Sequence, residues 1–144
     1  MTLFEELKTG ITTNSSEETI ALAKRFTSFL EADAVVALSG DLGAGKTTFA
    51  KGVAQALEIQ QVIKSPTYNI YSIYEGTRQL VHMDAYRLDN ATDLDQFDFE
   101  EFLKSPYLIL VEWPEKIQEW INSQSVYHLN FSISFDGSHQ IKST

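Results

Sequence analysis

The sequence predicts an α/β fold organised around a phosphate-binding loop, on three observations. An apolar run, Ala34-Val35-Val36-Ala37-Leu38, reads as a buried strand. It leads into Gly40-Asp41-Leu42-Gly43-Ala44-Gly45-Lys46-Thr47, which satisfies G-x-x-x-x-G-K-[ST] at every fixed position. Thr48, Phe49, Val53 and Leu57 then recur on one helical face. A strand, loop and helix in this order bind a nucleoside triphosphate. The glycines let successive N–H groups turn inward towards phosphate oxygens, and the helix opening at Gly45 adds the positive end of its dipole. Lys46 brings a full charge to the outer phosphates, and Thr47 a hydroxyl for the accompanying magnesium ion.

The remaining elements follow from local patterning. Thr13-Asn14-Ser15-Ser16-Glu17-Glu18 supplies N-cap residues followed by acids, and Ile20, Leu22, Ala23, Phe26, Phe29 and Leu30 then recur at helical spacing. This predicts a first helix ahead of the phosphate-loop strand. The helix after the loop ends near Leu57 to Ile59. Past Ser65-Pro66-Thr67, the aromatic and β-branched segment Tyr68 to Tyr74 reads as a strand, turning at Glu75-Gly76-Thr77-Arg78 into a second strand through Leu80-Val81-His82-Met83. Between Leu88 and Leu103 lie six acids and no base, and Leu94, Phe97, Phe102 and Leu103 are expected on one face of an acidic amphipathic helix. Tyr107-Leu108-Ile109-Leu110-Val111-Glu112 is a continuous apolar strand with an acid at its end. A last strand, Tyr127 to Phe135, precedes a turn at Asp136-Gly137 and a short tail.

With 144 residues and 43% hydrophobic content, the chain is expected to form a single domain over residues 1–144. Its apolar runs are too short to span a membrane, and its N-terminus lacks the pattern of a signal peptide, which predicts a cytoplasmic protein. The absence of cysteine excludes disulfides and thiolate metal sites. A formal charge of −9 argues against a broad nucleic-acid footprint, so any service to RNA would pass through a partner.

A nucleotide hydrolase needs a further magnesium-directed acid at the end of a buried strand beside the loop, and Glu112 stands there. Asp84, at the end of a hairpin strand, can accept a hydrogen bond from the attacking water or a magnesium-bound water. It can equally cap the next turn or pair with Arg87. Thr67 is either a sensor of the γ-phosphate or a strand-entry residue. Trp113 either stacks at the rim of the site or covers the edge of the core. His82, His128 and His139 show no metal-ligand spacing. The acidic run is either a solvated face or a docking surface for a basic partner.

With these residues assembled, the chain resembles the TsaE family, also called YjeE, the small ATPases of bacterial tRNA threonylcarbamoyladenosine synthesis. The resemblance rests on the phosphate loop through Thr48, then Ser65-Pro66-Thr67-Tyr68, His82-Met83-Asp84-Ala85-Tyr86-Arg87-Leu88, and Leu110-Val111-Glu112-Trp113-Pro114-Glu115, in that order. It implies a P-loop NTPase fold with a mixed β-sheet flanked by helices, ATP and Mg2+ as ligands, and action with the TsaB and TsaD proteins. In such a system TsaD transfers the threonylcarbamoyl group, the small ATPase resets the TsaB–TsaD complex between turnovers, and tRNA is met only through that complex. By motif position, Lys46, Asp84 and Glu112 are the implied catalytic set and Thr47 and Glu112 the metal ligands. Asp41, Leu42, Gly43, Ala44, Gly45, Lys46, Thr47, Thr48, Thr67 and Trp113 would contact nucleotide. The base would meet the N-terminal segment near Thr13 and the late turn at Asp136-Gly137, where many relatives carry Arg next and this chain has Ser138.

Two other activities fit less well. A small-molecule kinase should clamp the transferring phosphoryl group with several arginines. This chain has only Arg25, Arg78 and Arg87, the first in a helix and the second in a hairpin turn. A GTPase should carry an Asn-Lys-x-Asp segment, which does not occur. A module that binds nucleotide and docks without hydrolysing it shares every feature above, and is separated from an ATPase by the effect of Lys46→Ala on function.

Overall fold

The computed structural model describes residues 1–64 and 70–144. In chain order the elements are α1 (Leu3–Thr9), β1 (Ile11–Thr13), α2 (Ser16–Ser28), β2 (Ala34–Gly40), α3 (Lys46–Ala56), β3 (Tyr71–Glu75), β4 (Gln79–Asp84), α4 (Ala91–Leu94), β5 (Tyr107–Glu112), α5 (Gln118–Asn122), β6 (Val126–Ile133) and β7 (His139–Ser143). The strands form one seven-stranded sheet in the order β1-β7-β6-β2-β5-β4-β3. β2 is parallel to both β5 and β6, and β4 is parallel to β5. The β3–β4, β6–β7 and β1–β7 pairs are antiparallel. The sheet is therefore mixed, with β2 near its centre.

Two cores explain why β2 and β5 read as unbroken apolar runs: a strand covered on both faces has no solvent side on which to place polar residues. On one face Val36, Leu38, Leu80, Leu108 and Leu110 pack with Phe26 of α2 and Phe49 and Val53 of α3. On the other Val35, Ala37, Val81, Met83, Ile109 and Val111 pack with Leu94, Phe99, Ile117 and Ile121. Alternation along each strand assigns the faces, so His82 and Asp84 project on the same side as Leu80, towards α3 and the loop.

The predicted α2, β2, α3, the β3–β4 hairpin, β5 and β6 are all present, β3 beginning at Tyr71; residues 68 and 69 of its expected start lie outside the described residues. Three expectations change. The acidic helix is broken into α4 and two short 3-10 segments, Asp95–Phe97 and Phe99–Phe102, because Asp98 adopts a left-handed conformation at φ 45°. That reversal turns Phe99 into the core against Tyr71 and Trp120 and leaves Phe102 exposed. The expected C-terminal tail is strand β7, hydrogen-bonded to both β6 and β1. Finally, α1 and β1 precede the helix expected to come first. The signal for α1 was local: Thr2 and Glu5 form a capping box, the Thr2 side chain accepting from the Glu5 N–H and the Glu5 side chain accepting from Thr2.

Candidate functional site

The loop between β2 and α3 lies where a parallel sheet presents the carboxyl ends of its strands, beside the ends of β4 and β5. Gly45 stands at the N-cap of α3 with φ +107°, and a Cβ there would sit 2.7 Å from Nδ1 of His139. Both the backbone conformation and the approach of β7 therefore require glycine. Whereas Thr2 and Ser15 cap α1 and α2, α3 has no side-chain cap, so its first N–H groups remain available to an anion.

Lys46 is 4% exposed, which is unusual for a lysine and means its charge must be met locally. Its Nζ donates to the carbonyl of Gly40 at 2.6 Å and lies 4.5 Å from the centre of the Trp113 ring. Trp113 itself holds a left-handed conformation, φ 60°, immediately after β5. The turn there aims the indole back over the loop, and Tyr86 packs against it at 5.1 Å between ring centroids. Thr47 is exposed, as is Asp41, and Leu42 projects almost fully into solvent.

Asp84 and Glu112 complete the site from neighbouring strands. Glu112 is buried, and its Oε2 accepts a hydrogen bond from Nε2 of His82 at 2.7 Å. Asp84 Oδ1 accepts from the backbone N–H of Tyr86 at 3.0 Å. The local-turn reading of Asp84 thus has a physical counterpart, while among the described residues it makes no ion pair with Arg87. Burial holds the Asp84 carboxyl above the usual range, the Tyr86 N–H works against that rise, and the nearby Glu112 carboxylate adds to it.

A cleft of about 310 Å³ brings together Leu42, Gly43, Gly45, Lys46, Thr47, Thr48, Asp84, Glu112, Trp113 and His139. A second cleft of about 220 Å³ is lined by Asn14, Ser15, Ser16, Thr19, Thr48, Gly137 and His139, so Thr48 and His139 border both. Thr13 faces neither directly: it is buried on β1, its hydroxyl hydrogen-bonded to that of Thr19 at 2.7 Å. Asp136 accepts from the N–H and hydroxyl of Ser138, which lower its pKa and shape the turn that carries Gly137 to the second cleft. Thr67 lies outside the described residues. The structure also brings in His82 and His139, for which the sequence shows only a lack of metal-ligand spacing, and Asn14 and Ser15, for which it shows only N-cap chemistry. Period-two alternation with Asp84 points to His82, whereas the short polar segment that carries His139 reads as a tail.

The donor set suits magnesium. A hydroxyl and two carboxylates are hard oxygen donors, and magnesium keeps few protein ligands when nucleotide phosphates and waters supply the rest. Among the described residues no cluster of three or more His, Asp or Glu forms a metal site on its own, so an ion here would draw further oxygens from the nucleotide.

The family model for the threonylcarbamoyl adenosine biosynthesis protein TsaE matches residues 13–141. The chain belongs to the TsaE family. The tRNA threonylcarbamoyladenosine biosynthesis protein TsaE of Bacillus subtilis is 41% identical over 108 residues, covering 74% of this chain and 67% of that protein. The protein of the same name from Treponema pallidum is 36% identical over 112 residues, covering 78% and 82%. In structure the chain is similar to Bacillus subtilis YdiB, with a TM-score of 0.75 at 34% identity over 92% of this chain and 81% of that one. The fold is that of a P-loop NTPase, and family membership places the chain in threonylcarbamoyladenosine biosynthesis. Among the described residues no helix is long and apolar enough to cross a membrane.

Proposed function

We propose that this TsaE-family chain is a cytoplasmic, magnesium-dependent ATPase, a single domain over residues 1–144, that resets a TsaB–TsaD complex between rounds of tRNA modification. The observation that carries this reading is one cleft lined by Lys46, Thr47, Asp84 and Glu112, at the open N-terminus of α3. In this reading Lys46 exchanges the Gly40 carbonyl and the Trp113 ring for the outer phosphates of ATP. Residues 41–48 wrap the phosphates with backbone N–H groups, and Thr67 and Trp113 flank the nucleotide. Thr47 and Glu112 hold magnesium, which when bound neutralises charge on the triphosphate.

Hydrolysis then follows from what the side chains can do. Asp84 accepts a proton from the water whose oxygen attacks the γ-phosphorus, while the bond to the β–γ bridging oxygen breaks and ADP leaves. A carboxylate with a raised pKa is a better proton acceptor than an ordinary one, provided it is ionised at working pH. Few arginines are positioned to stabilise the transferring group, so turnover is slow alone and a partner completes the site. With a charge of −9, contact with tRNA passes through that partner.

The test is magnesium-dependent ATP hydrolysis by the chain alone and with added TsaB–TsaD complex, with Lys46→Ala as the blank. Strong stimulation is expected. Hydrolysis indifferent to the complex would remove the resetting role, and no hydrolysis under either condition would remove the ATPase.

A further inference from the structure

Two buried polar residues on the P-loop side of the sheet, His82 and Glu112, face each other across the β4–β5 pair, and of the two only Glu112 lines the cleft. His82 is fully buried, in register with Leu110, one pleat further from the loop than Asp84 and Glu112. On this face Leu80 precedes it along β4 and Leu110 stands across the pair with β5, while Asp84 follows it along β4 and Ser72 stands across the pair with β3. Leucine would continue the apolar part of that surface, whereas an imidazole brings two polar nitrogens into it. Nε2 is matched by Glu112 Oε2 at 2.7 Å, but Nδ1 is buried with no partner among the described residues. The bond to Glu112 is therefore what the imidazole supplies, and it is made to a single oxygen of a side chain with three rotatable bonds. Fixing Oε2 fixes the plane of the carboxylate, and Glu112 still lines the cleft beside Lys46 and Thr47.

We infer that His82 is a positioning residue: its Nε2–H anchors Glu112 Oε2 so that the carboxylate presents its other oxygen to nucleotide-bound magnesium. This rests on the reading of Glu112 as the magnesium-directed acid. Carboxylates that serve metals are themselves held by hydrogen bonds, and loss of such a partner typically weakens metal affinity by about 10- to 100-fold. Asp84, held by the Tyr86 N–H, does not depend on this anchor.

The experiment measures ATP affinity calorimetrically without metal and across a magnesium titration, so the readout is binding rather than turnover. The variants are Glu112→Ala, His82→Leu, His82→Gln and the Glu112→Ala/His82→Leu double substitution. Glutamine places an N–H close to where Nε2 stands; leucine places none. His82→Leu is expected to raise the magnesium midpoint by about 10-fold or more while leaving metal-free ATP affinity unchanged. His82→Gln should restore the parent midpoint to within about threefold, since it restores the donor. The double variant should be no weaker than Glu112→Ala, because the anchor acts only through Glu112. If His82→Leu keeps the parent midpoint while Glu112→Ala loses it, His82 is a packing residue and the inference fails. If Glu112→Ala itself keeps the parent midpoint, the assignment of Glu112 fails, and the inference with it. Should His82→Leu not fold, His82→Asn replaces it: its amide stops short of Oε2 and should shift the midpoint as leucine does.

Discussion

Asp84 and Glu112 are register partners at the last rung of the parallel β4–β5 pair, projecting to the same side of the sheet. Two carboxylates held this close and partly out of water keep the Asp84 carboxyl above its ordinary range, burial being the larger cause. A raised pKa in the folded state means the folded chain binds that proton more tightly than the unfolded chain does. The stabilisation it contributes is full below the unfolded pKa and is lost as pH rises through the folded one.

Above the ordinary carboxylate range, then, the raised pKa of Asp84 works against folding. Asp84→Asn keeps the side-chain oxygen that accepts from Tyr86 and removes the charge. Without nucleotide or metal, the variant is expected to melt at a higher temperature than the parent at pH 7, the gap closing as pH falls towards the ordinary carboxylate range. Thermal melts across that range check it. An equal or lower melting temperature at pH 7 would contradict the assignment.

Lys46 rests on the Gly40 carbonyl and the Trp113 ring, and phosphate must draw it from both. Adding ATP is expected to change Trp113 emission, with Trp120, the other tryptophan of the chain, as a constant background. Trp113→Phe should abolish the change. An unaltered signal in the parent protein under saturating ATP would mean that Lys46 does not move.

Removing the Lys46 ammonium deletes charge-assisted hydrogen bonds to phosphate, each worth about 1.5–3 kcal/mol. Lys46→Ala is accordingly expected to weaken ATP binding by about 10- to 100-fold, read by calorimetry. Affinity within about twofold of the parent would place the triphosphate elsewhere.

Gly52 lies where α3 crosses α2, and a Cβ there would come within 2.6 Å of Ala23 Cβ and 2.9 Å of the Ile20 carbonyl oxygen. Alanine gains about 1 kcal/mol in helix propensity over glycine. Overpacking a tight contact costs about 1–3 kcal/mol, and here one neighbour is backbone that cannot swing aside. The clash is expected to win, so Gly52→Ala should lower stability by up to about 2 kcal/mol in urea unfolding. A more stable variant would show that α2 and α3 can separate at little cost.

The parts of the site that could be read in advance are those whose signal is local. A loop that must curl around phosphate needs glycine at fixed places, and Lys46 and Thr47 follow in sequence. Glu112 was legible because a buried strand that ends in an acid is conspicuous. Asp98 shows the opposite case. The apolar spacing around it suits a helix, yet a left-handed residue there serves the burial of Phe99 against Tyr71 and Trp120, which are distant in sequence. The β7 strand was illegible for a related reason, since its short polar segment becomes a strand only by pairing with β6 on one side and β1 on the other.

By itself the sequence determined the strand–loop–helix unit from Ala34 to Leu57, the β3–β4 hairpin and the apolar strand ending at Glu112, because burial and turn chemistry leave their pattern in neighbouring residues. Only the tertiary structure decided that β5 lies between β2 and β4, setting Asp84 beside Glu112, His82 beneath it and His139 behind the loop. Backbone ladders satisfy any strand with any neighbour of suitable direction. The choice among neighbours comes from closing two cores at once, a property of the whole chain.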